Sequence, residues 1–479
     1  MTFPHESITL NLNLIPGGVF PGAWRANRAA GATGGGVDGD ARWFSSLEHY
    51  IEVAKIAERG LFDAVFLADT PVWRYRGEYR PFRGLDPTLA FAAVAQHTSR
   101  IGLVATGSSS YNSAYNLARR ISTLDHISNG RAAWNIVATN GDDVARNFGR
   151  EHGLDHDARY RRAHEFVEGV IALWDGWADD AWVADRDSGT YVDEARIRAV
   201  DYTGEYVATS GPLPLPRSPQ GHPVLVQAGS SPDGIGLASR FADAVYTVQP
   251  TIESAIAFRS TVRERAKGWG RDPDTVRVLP GLITLVAPTE AQARRREIEL
   301  RELHTERFAI NALALQIGVP VDALELDKEL PWDLVPADGE LGAQGGHFAA
   351  LIGTARRERY TVRQILARQG GGLTHVTAIG SPEQVADQIE TWVNAGAADG
   401  FNIMAAQLPD VATEFVDHVV PLLQAKGIFR TEYPGTTLRD TLGLPRPGDG
   451  FENHTPSAPS LTAGGSGAAR TRVGEAAFG

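Results

Sequence analysis

The chain has 479 residues, 43% of them hydrophobic and 22% charged, the balance of a soluble globular protein with a large buried core. Its formal net charge of −12 argues against a nucleic-acid partner. The absence of cysteine removes disulfides, thiolate nucleophiles and cysteine-ligated metals together, and is compatible with the cytoplasm, where we expect the chain to reside.

Met1–Leu10 has no basic start followed by an apolar run, so no secretory signal is read there. No stretch approaches the roughly 20 apolar residues of a membrane helix, so no membrane partner is expected.

Apolar runs alternate with helical patterns along the chain. The runs read as strands are Ile8–Leu14, Ala64–Ala68, Ile101–Ala105, Ala132–Val137, Val224–Gln227, Ala244–Val248, Val276–Leu285 and Phe401–Met404. Most are short and continuously apolar, as strands buried on both faces of a parallel sheet are. Between them, Phe44, Leu47, Ile51 and Ala54 recur at helical spacing, as do Ala163, Phe166, Val167, Val170, Ile171 and Trp174. Asp86-Pro87 opens a helix expected to run through His97, and Ser381-Pro382-Glu383-Gln384 carries a capping box.

Eight strands with intervening helices predict an α/β fold, a (β/α)8 TIM barrel. Counting alone leaves a doubly wound open sheet as the alternative. One barrel domain over residues 1–448 is expected, with insertions at about 175–222 and 304–377 built over the carboxyl-end face. Arg25–Arg42 is rich in glycine and alanine and reads as a mobile loop. The tail 449–479 is rich in Gly, Ala, Ser and Thr and is expected to be disordered.

In such a barrel, chemistry sits at the carboxyl ends of the strands. Asp69 ends the second strand. Thr106 ends the third and is followed by Ser108, Ser109, Ser110, Tyr111 and Asn112. Asn135, Thr139 and Asn140 mark the fourth, and Gly229-Ser230-Ser231-Pro232 follows the fifth. Taken singly, each cluster is also what a helix cap or turn looks like. Together they line one pocket.

Gly229–Gly234 suits a single phosphate, because backbone N–H groups at a helix start join serine hydroxyls there. It has neither a Walker lysine nor a dinucleotide glycine pattern. His156 and Tyr160, four apart, share a helix face and can reach the same ligand. His152, Asp155, His156 and Asp157 lack a convergent third ligand, so no metal is assigned. No Gly-x-Ser-x-Gly elbow appears, and no catalytic residue is assigned. A phosphate cradle without a protein nucleophile suits an enzyme whose cofactor carries the chemistry.

Several blocks match a known family. They are Ala57–Asp69, Ala118–Trp134 with Leu124–Arg131, Ala145–Gly149, His156–Glu168, Gly211–Pro232, Gly396–Asn402 and Phe429–Leu444. On these residues the chain resembles the bacterial-luciferase-like flavin-dependent monooxygenases of the nitrilotriacetate monooxygenase, dibenzothiophene-sulfone monooxygenase and pristinamycin synthase large-subunit type. The likeness runs from about Ile8 to Pro447.

The resemblance implies a luciferase-like barrel and non-covalent FMN. The flavin would arrive reduced from a separate NAD(P)H:flavin reductase, with O2 as cosubstrate and a small organic molecule as substrate. It places Asp69, Thr106, His156, Tyr160, Ser230 and Ser231 at the cofactor. The two serines would hold the phosphate, and Asp69 and Thr106 would approach the ring or ribityl chain. A homodimer or homotetramer is expected by the same analogy.

The chain departs from the family at Ala138-Thr139-Asn140-Gly141, where Thr-Ser is common, and in two loops. Gly31–Asp40 is unusually glycine-rich, and Val72–Arg83 carries Trp73, Tyr75, Tyr79 and Phe82. A deazaflavin-dependent oxidoreductase on the same fold and a non-catalytic flavin-binding protein are the competing readings.

Overall fold

The computed structural model describes residues 7–26, 40–73, 80–303, 305–335, 346–368 and 375–451. Most of the Arg25–Arg42 loop, Tyr75 and Tyr79, part of the 304–377 insertion and the tail beyond Phe451 lie outside them.

The strands are β1 (Thr9–Asn13), β2 (Ala64–Leu67), β3 (Gly102–Ser108), β4 (Ala132–Val137), β5 (Tyr202–Thr203), β6 (Ala208–Thr209), β7 (Val224–Ala228), β8 (Ala244–Thr247), β9 (Arg277–Val286), β10 (Val376–Gly380) and β11 (Gly400–Ala405). Eight of them pair in parallel in the order β1-β2-β3-β4-β7-β8-β9-β11, and β11 pairs back onto β1. The sheet is closed, so the open alternative falls. These eight are the eight strands expected from the sequence.

β10 was not expected. It pairs with the second half of β9, Val376 opposite Leu282 through Gly380 opposite Val286. β9 is long enough to serve β8 over Arg277–Pro280 and β10 above it along the same edge. β5 and β6 form a small antiparallel pair inside the 175–222 insertion.

Helices start where side chains cap them. Ser46 caps α1 (Leu47–Arg59), and Asp86 Oδ1 accepts from the N–H groups of Thr88 and Leu89 at α2 (Pro87–Ala95). α2 ends at Ala95, two residues short of the expected His97. Ser113 caps α3 (Ala114–Ser128), and α4 (Asp142–Asn147) follows β4. Asp155 caps α5 (His156–Trp174) and Ser231 caps α6 (Pro232–Phe241). The helix Pro382–Asn394 carries the capping box read at Ser381 and Gln384.

Within the 304–377 insertion, the helices Glu306–Ile317, Gly346–Glu358 and Val362–Arg368 gather a separate apolar cluster, including Leu313, Ile317, Leu330, Ile352, Val362 and Ile365.

The amino end of the barrel is sealed by the chain's own carboxyl-terminal segment. Leu438, Leu442 and Leu444 pack among inward side chains such as Ala64, Val104, Ala133, Val224, Ala244 and Leu279. A carboxylate preceding three of the strands caps the neighbouring strand. Asp63 accepts from Leu10 N–H (2.7 Å), Asp243 from Leu225 N–H (2.9 Å) and Asp399 from Val278 N–H (2.9 Å). Each also meets arginine: Arg430, Arg439, and the pair Arg259 and Arg263.

Candidate active site

The carboxyl ends of the strands gather the expected residues into two groups. The first lies on α5, α6 and β8. Ser231 Oγ accepts from Gly234 N–H at 3.1 Å and lies 3.3 Å from Tyr160 OH. Ser230 Oγ lies 3.2 Å from Thr247 Oγ1, which accepts from Gln249 Nε2 at 2.9 Å. The rings of His156 and Tyr160 are 5.0 Å apart, as their spacing on one helix face requires. The amino ends of α5 and α6 therefore meet, with Ser230, Ser231, Tyr160 and His156 around the meeting point. Two converging helix starts and their free N–H groups favour an anion.

Carboxylates also stand here. His156 Nδ1 lies 3.3 Å from Asp157 and 3.3 Å from Asp233. These three exposed residues could converge on one ion, but nothing beyond their proximity points to a metal. His152, weighed with them in the sequence, is elsewhere, 3.0 Å from Asp142.

The second group lies on β2, β3 and β4. Asp69 is half-buried just beyond β2. Burial pushes its carboxyl above the ordinary value, the charge of Asp86 adds to that, and the Thr70 N–H opposes it. Thr106 is buried on β3, and its Oγ1 accepts from Asn135 Nδ2 on β4 at 2.9 Å. The Asn135 Oδ1 is buried without a hydrogen-bond partner among the described residues. A buried amide oxygen left unpaired costs on the order of 1–3 kcal/mol, so this one calls for a donor from outside the protein, a bound water or a ligand.

The polar run after Thr106 serves the protein instead. Ser108 Oγ accepts from the N–H groups of Ser110 and Tyr111 and from the Thr139 hydroxyl. Ser109 and Ser110 donate to the carbonyls of Val137 and Thr139, and Asn112 to that of Ser108. These bonds tie the loop after β3 to the end of β4. They are of the helix-cap and turn kind that the sequence also allowed for this cluster.

No hydrogen bond links the two groups among the described residues. β3 and β7 are separated by β4 alone, so their axes stand about 10 Å apart. That is a suitable reach for one ligand with an anionic tail and a polar ring.

Sequence reading missed the inward amides of β1 and β11. Asn11 Nδ2 donates to Tyr246 OH at 2.8 Å, and the Tyr246 ring meets Phe66 edge-on across the barrel, 4.9 Å between centroids. Asn11 is in register with Asn402, and Asn13 follows two residues along β1. The Oδ1 atoms of Asn11, Asn13 and Asn402 are buried and without partners among the described residues. The signal was present in Leu10-Asn11-Leu12-Asn13, where polar and apolar residues alternate with the period of a strand.

The family model for luciferase-like monooxygenases matches residues 24–399, well over half of the chain. The chain belongs to this family. It is 41% identical over 417 residues to nitrilotriacetate monooxygenase component A of Aminobacter aminovorans, covering 84% of this chain and 91% of that protein. It is 38% identical over 449 residues to N-acetyl-S-(2-succino)cysteine monooxygenase of Bacillus subtilis (strain 168), covering 93% and 99%. Among solved structures, a riboflavin lyase with modified FMN and substrate riboflavin superposes with a TM-score of 0.77 at 28% identity, covering 91% of this chain and 96% of that one. The luciferase-like monooxygenase thus takes the barrel expected of it, and it is an enzyme of the monooxygenase class. No helix among the described residues is long and apolar enough to cross a membrane.

Proposed function

We propose that this monooxygenase works with reduced, non-covalently held FMN delivered by a separate NAD(P)H:flavin reductase, and oxygenates a small organic substrate. The observation that carries the reading is the pairing of an anion site with a donor-seeking floor. Ser231 and Tyr160 sit at two converging helix starts, and Thr106 with Asn135 leaves a buried amide oxygen unpaired one strand away. FMN brings a phosphate for the first and ring N–H donors for the second. Two features of the relatives agree: the nitrilotriacetate enzyme is named as a component A, and the riboflavin lyase holds a modified FMN.

Reduced FMN would supply two electrons to dioxygen, so that one oxygen atom enters the substrate and the other leaves as water. Ser230 and Ser231 would hold the phosphate, with Tyr160 and His156 closing over it. Thr106 and Asn135 would orient the ring, and half-buried Asp69 would bound it on the β2 side. The mouth would keep water from the reacting atoms.

The test supplies the protein with FMN, a flavin reductase, NADH and oxygen. Release of hydrogen peroxide should lag behind oxygen uptake, because the protein shelters what forms between them. Uptake and release in step, with FMN bound, would sink the monooxygenase reading and favour simple flavin binding.

A further inference from the structure

The expected site left out one half-buried titratable group on the barrel wall, His375. It stands immediately before β10, whose first residue, Val376, is opposite Leu282 of β9. Continuing that register by one residue sets His375 beside Gly281. Gly281 is also in register with Asn402 of β11, and Asn402 with Asn11 of β1. Side chains at register partners of a parallel sheet share a face. Asn11 reaches Tyr246 inside the barrel, so the missing side chain of Gly281 would also point inside.

The imidazole of His375 fills that vacancy. A Cβ placed on Gly281 would lie 2.3 Å from His375 Nδ1 and 2.6 Å from Cε1. The glycine is there for close approach, since any larger residue would drive the ring out of its seat. β8 stops at Thr247 opposite Pro280, one residue below, so the ring sits where the wall changes from β8 to β10. On β11 and β1 the same register falls at Asn402 and Asn11, inside the barrel in the middle of those strands.

The ring is oriented. Its Nδ1 edge is buried against the Gly281 backbone and makes no hydrogen bond of normal geometry. The residue as a whole is half-buried, so its accessible part is the far edge, with Nε2. Beside it, across Gly281, stands Asn402 with its unpaired amide oxygen. A histidine and an amide with open polar atoms, on either side of a glycine that exists to admit the histidine, form a surface for a ligand.

We propose that His375 is a further residue of the reaction site, with its Nε2 edge and the Asn402 amide forming the wall on the β9–β11 side against which flavin and substrate meet. This rests on the flavin reading above and extends it to the side of the barrel opposite Thr106. Burial also pushes the imidazole below its ordinary value, against the pull of the Gly281 backbone, which favours a neutral ring able to accept or donate one hydrogen bond.

Carbethoxylation by diethyl pyrocarbonate, mapped by mass spectrometry on the intact chain, tests this without a known substrate. His97, exposed beyond α2 at the amino end of the barrel, is the internal control. His375 should react in the free protein, and saturating FMN should slow it by ~5-fold while leaving His97 unchanged, since a pocket typically covers most of its ligand's surface. Flavin affinity is measured separately by fluorescence titration.

A second variant separates position from presence. Gly281→Ala keeps the imidazole but pushes it from its seat, so FMN should no longer protect His375. Both proteins are compared at equal flavin occupancy, set from the titration, so a change in affinity does not enter the comparison. FMN that binds without protecting His375 in the wild-type protein would overturn the inference. So would a His375 that never reacts in the free protein. A wild-type protein that binds no FMN at all overturns the flavin reading, and this inference with it.

Discussion

The two ends of the barrel are built on opposite rules. At the amino end, carboxylates and strand N–H groups are matched: Asp63, Asp243 and Asp399 each cap a neighbouring strand and meet arginine. Inside the barrel, from mid-strand up to the carboxyl end, the Oδ1 atoms of Asn11, Asn13, Asn135 and Asn402 are buried and unmatched among the described residues. The first pattern favours the charged carboxylate at Asp399, whereas at Asp63 burial outweighs Arg430 and the Leu10 N–H and pushes the carboxyl up. The second raises the energy of the free protein, and makes sense only if something else supplies the partners. In this fold, stability and function are divided between the two faces in the same way.

The sharpest way to break the comparison is at the amino end. Burial pushes the Asp399 carboxyl up, but Arg259, Arg263 and the Val278 N–H outweigh it and hold the group below its ordinary value. Asp399→Ala would leave Arg259 and Arg263 facing each other with their shared anion gone. We expect a loss of about 3–5 kcal/mol of stability, as for other buried pairs cut on one side, read by denaturant unfolding. Flavin affinity of the fraction that folds should be unchanged. A loss below about 1 kcal/mol would mean that the amino end does not carry stability in the way its pairing implies.

What the sequence revealed follows the same division. Eight strands were legible because barrel strands are buried on both faces and read as apolar runs, as in Ala64–Leu67 and Ala244–Thr247. Caps at Asp86, Ser231 and Ser381 were legible because capping is local chemistry. β10 was not, because its pairing depends on β9 running past the end of β8, a long-range fact. The ties of Ser108 through Asn112 to the end of β4 were not legible, because their partners, among them Val137 and Thr139, are distant in sequence. His375 carried no motif. Its position is explained by Gly281, 94 residues earlier, and only the register joins the two.

At the carboxyl end, Ser231→Ala removes the cap of α6 and the partner of Tyr160 together. Asp69→Ala removes the polar boundary beside β2. Each should weaken FMN binding by on the order of 1–3 kcal/mol, measured by titration. Unchanged affinity in both would refute the assignment of the two groups to one ligand. Asn402→Leu should act in the opposite sense on the free protein. It replaces an unpaired amide by an apolar group of similar size, so unfolding should cost the same or about 1 kcal/mol more. A clear destabilisation would mean that the amide has a partner in the free protein and that the contrast between the two ends is wrong there.

The smallest expected effect lies in the acid response, where the barrel wall and the sealed end separate by pH. His375 has a folded-state pKa lowered from 6.5, by burial foremost. Its folded state therefore prefers the neutral ring. The stability this contributes is fully present above pH 6.5 and is lost as pH falls through the lowered folded value. Asp399 is also lowered, from 3.8, so its contribution persists above that value and is lost only as pH falls further, through its own folded pKa. Mild acid should therefore weaken the wall at His375 first and strong acid the sealed end. The check is thermal unfolding of wild type and His375→Gln at pH 7 and about pH 5. Glutamine cannot take up the proton, so the variant's melting temperature should fall less between the two pH values. An identical fall in both proteins would show that the seat on Gly281 does not disfavour the charged ring, and that the wall beside Asn402 is wetter than its burial implies.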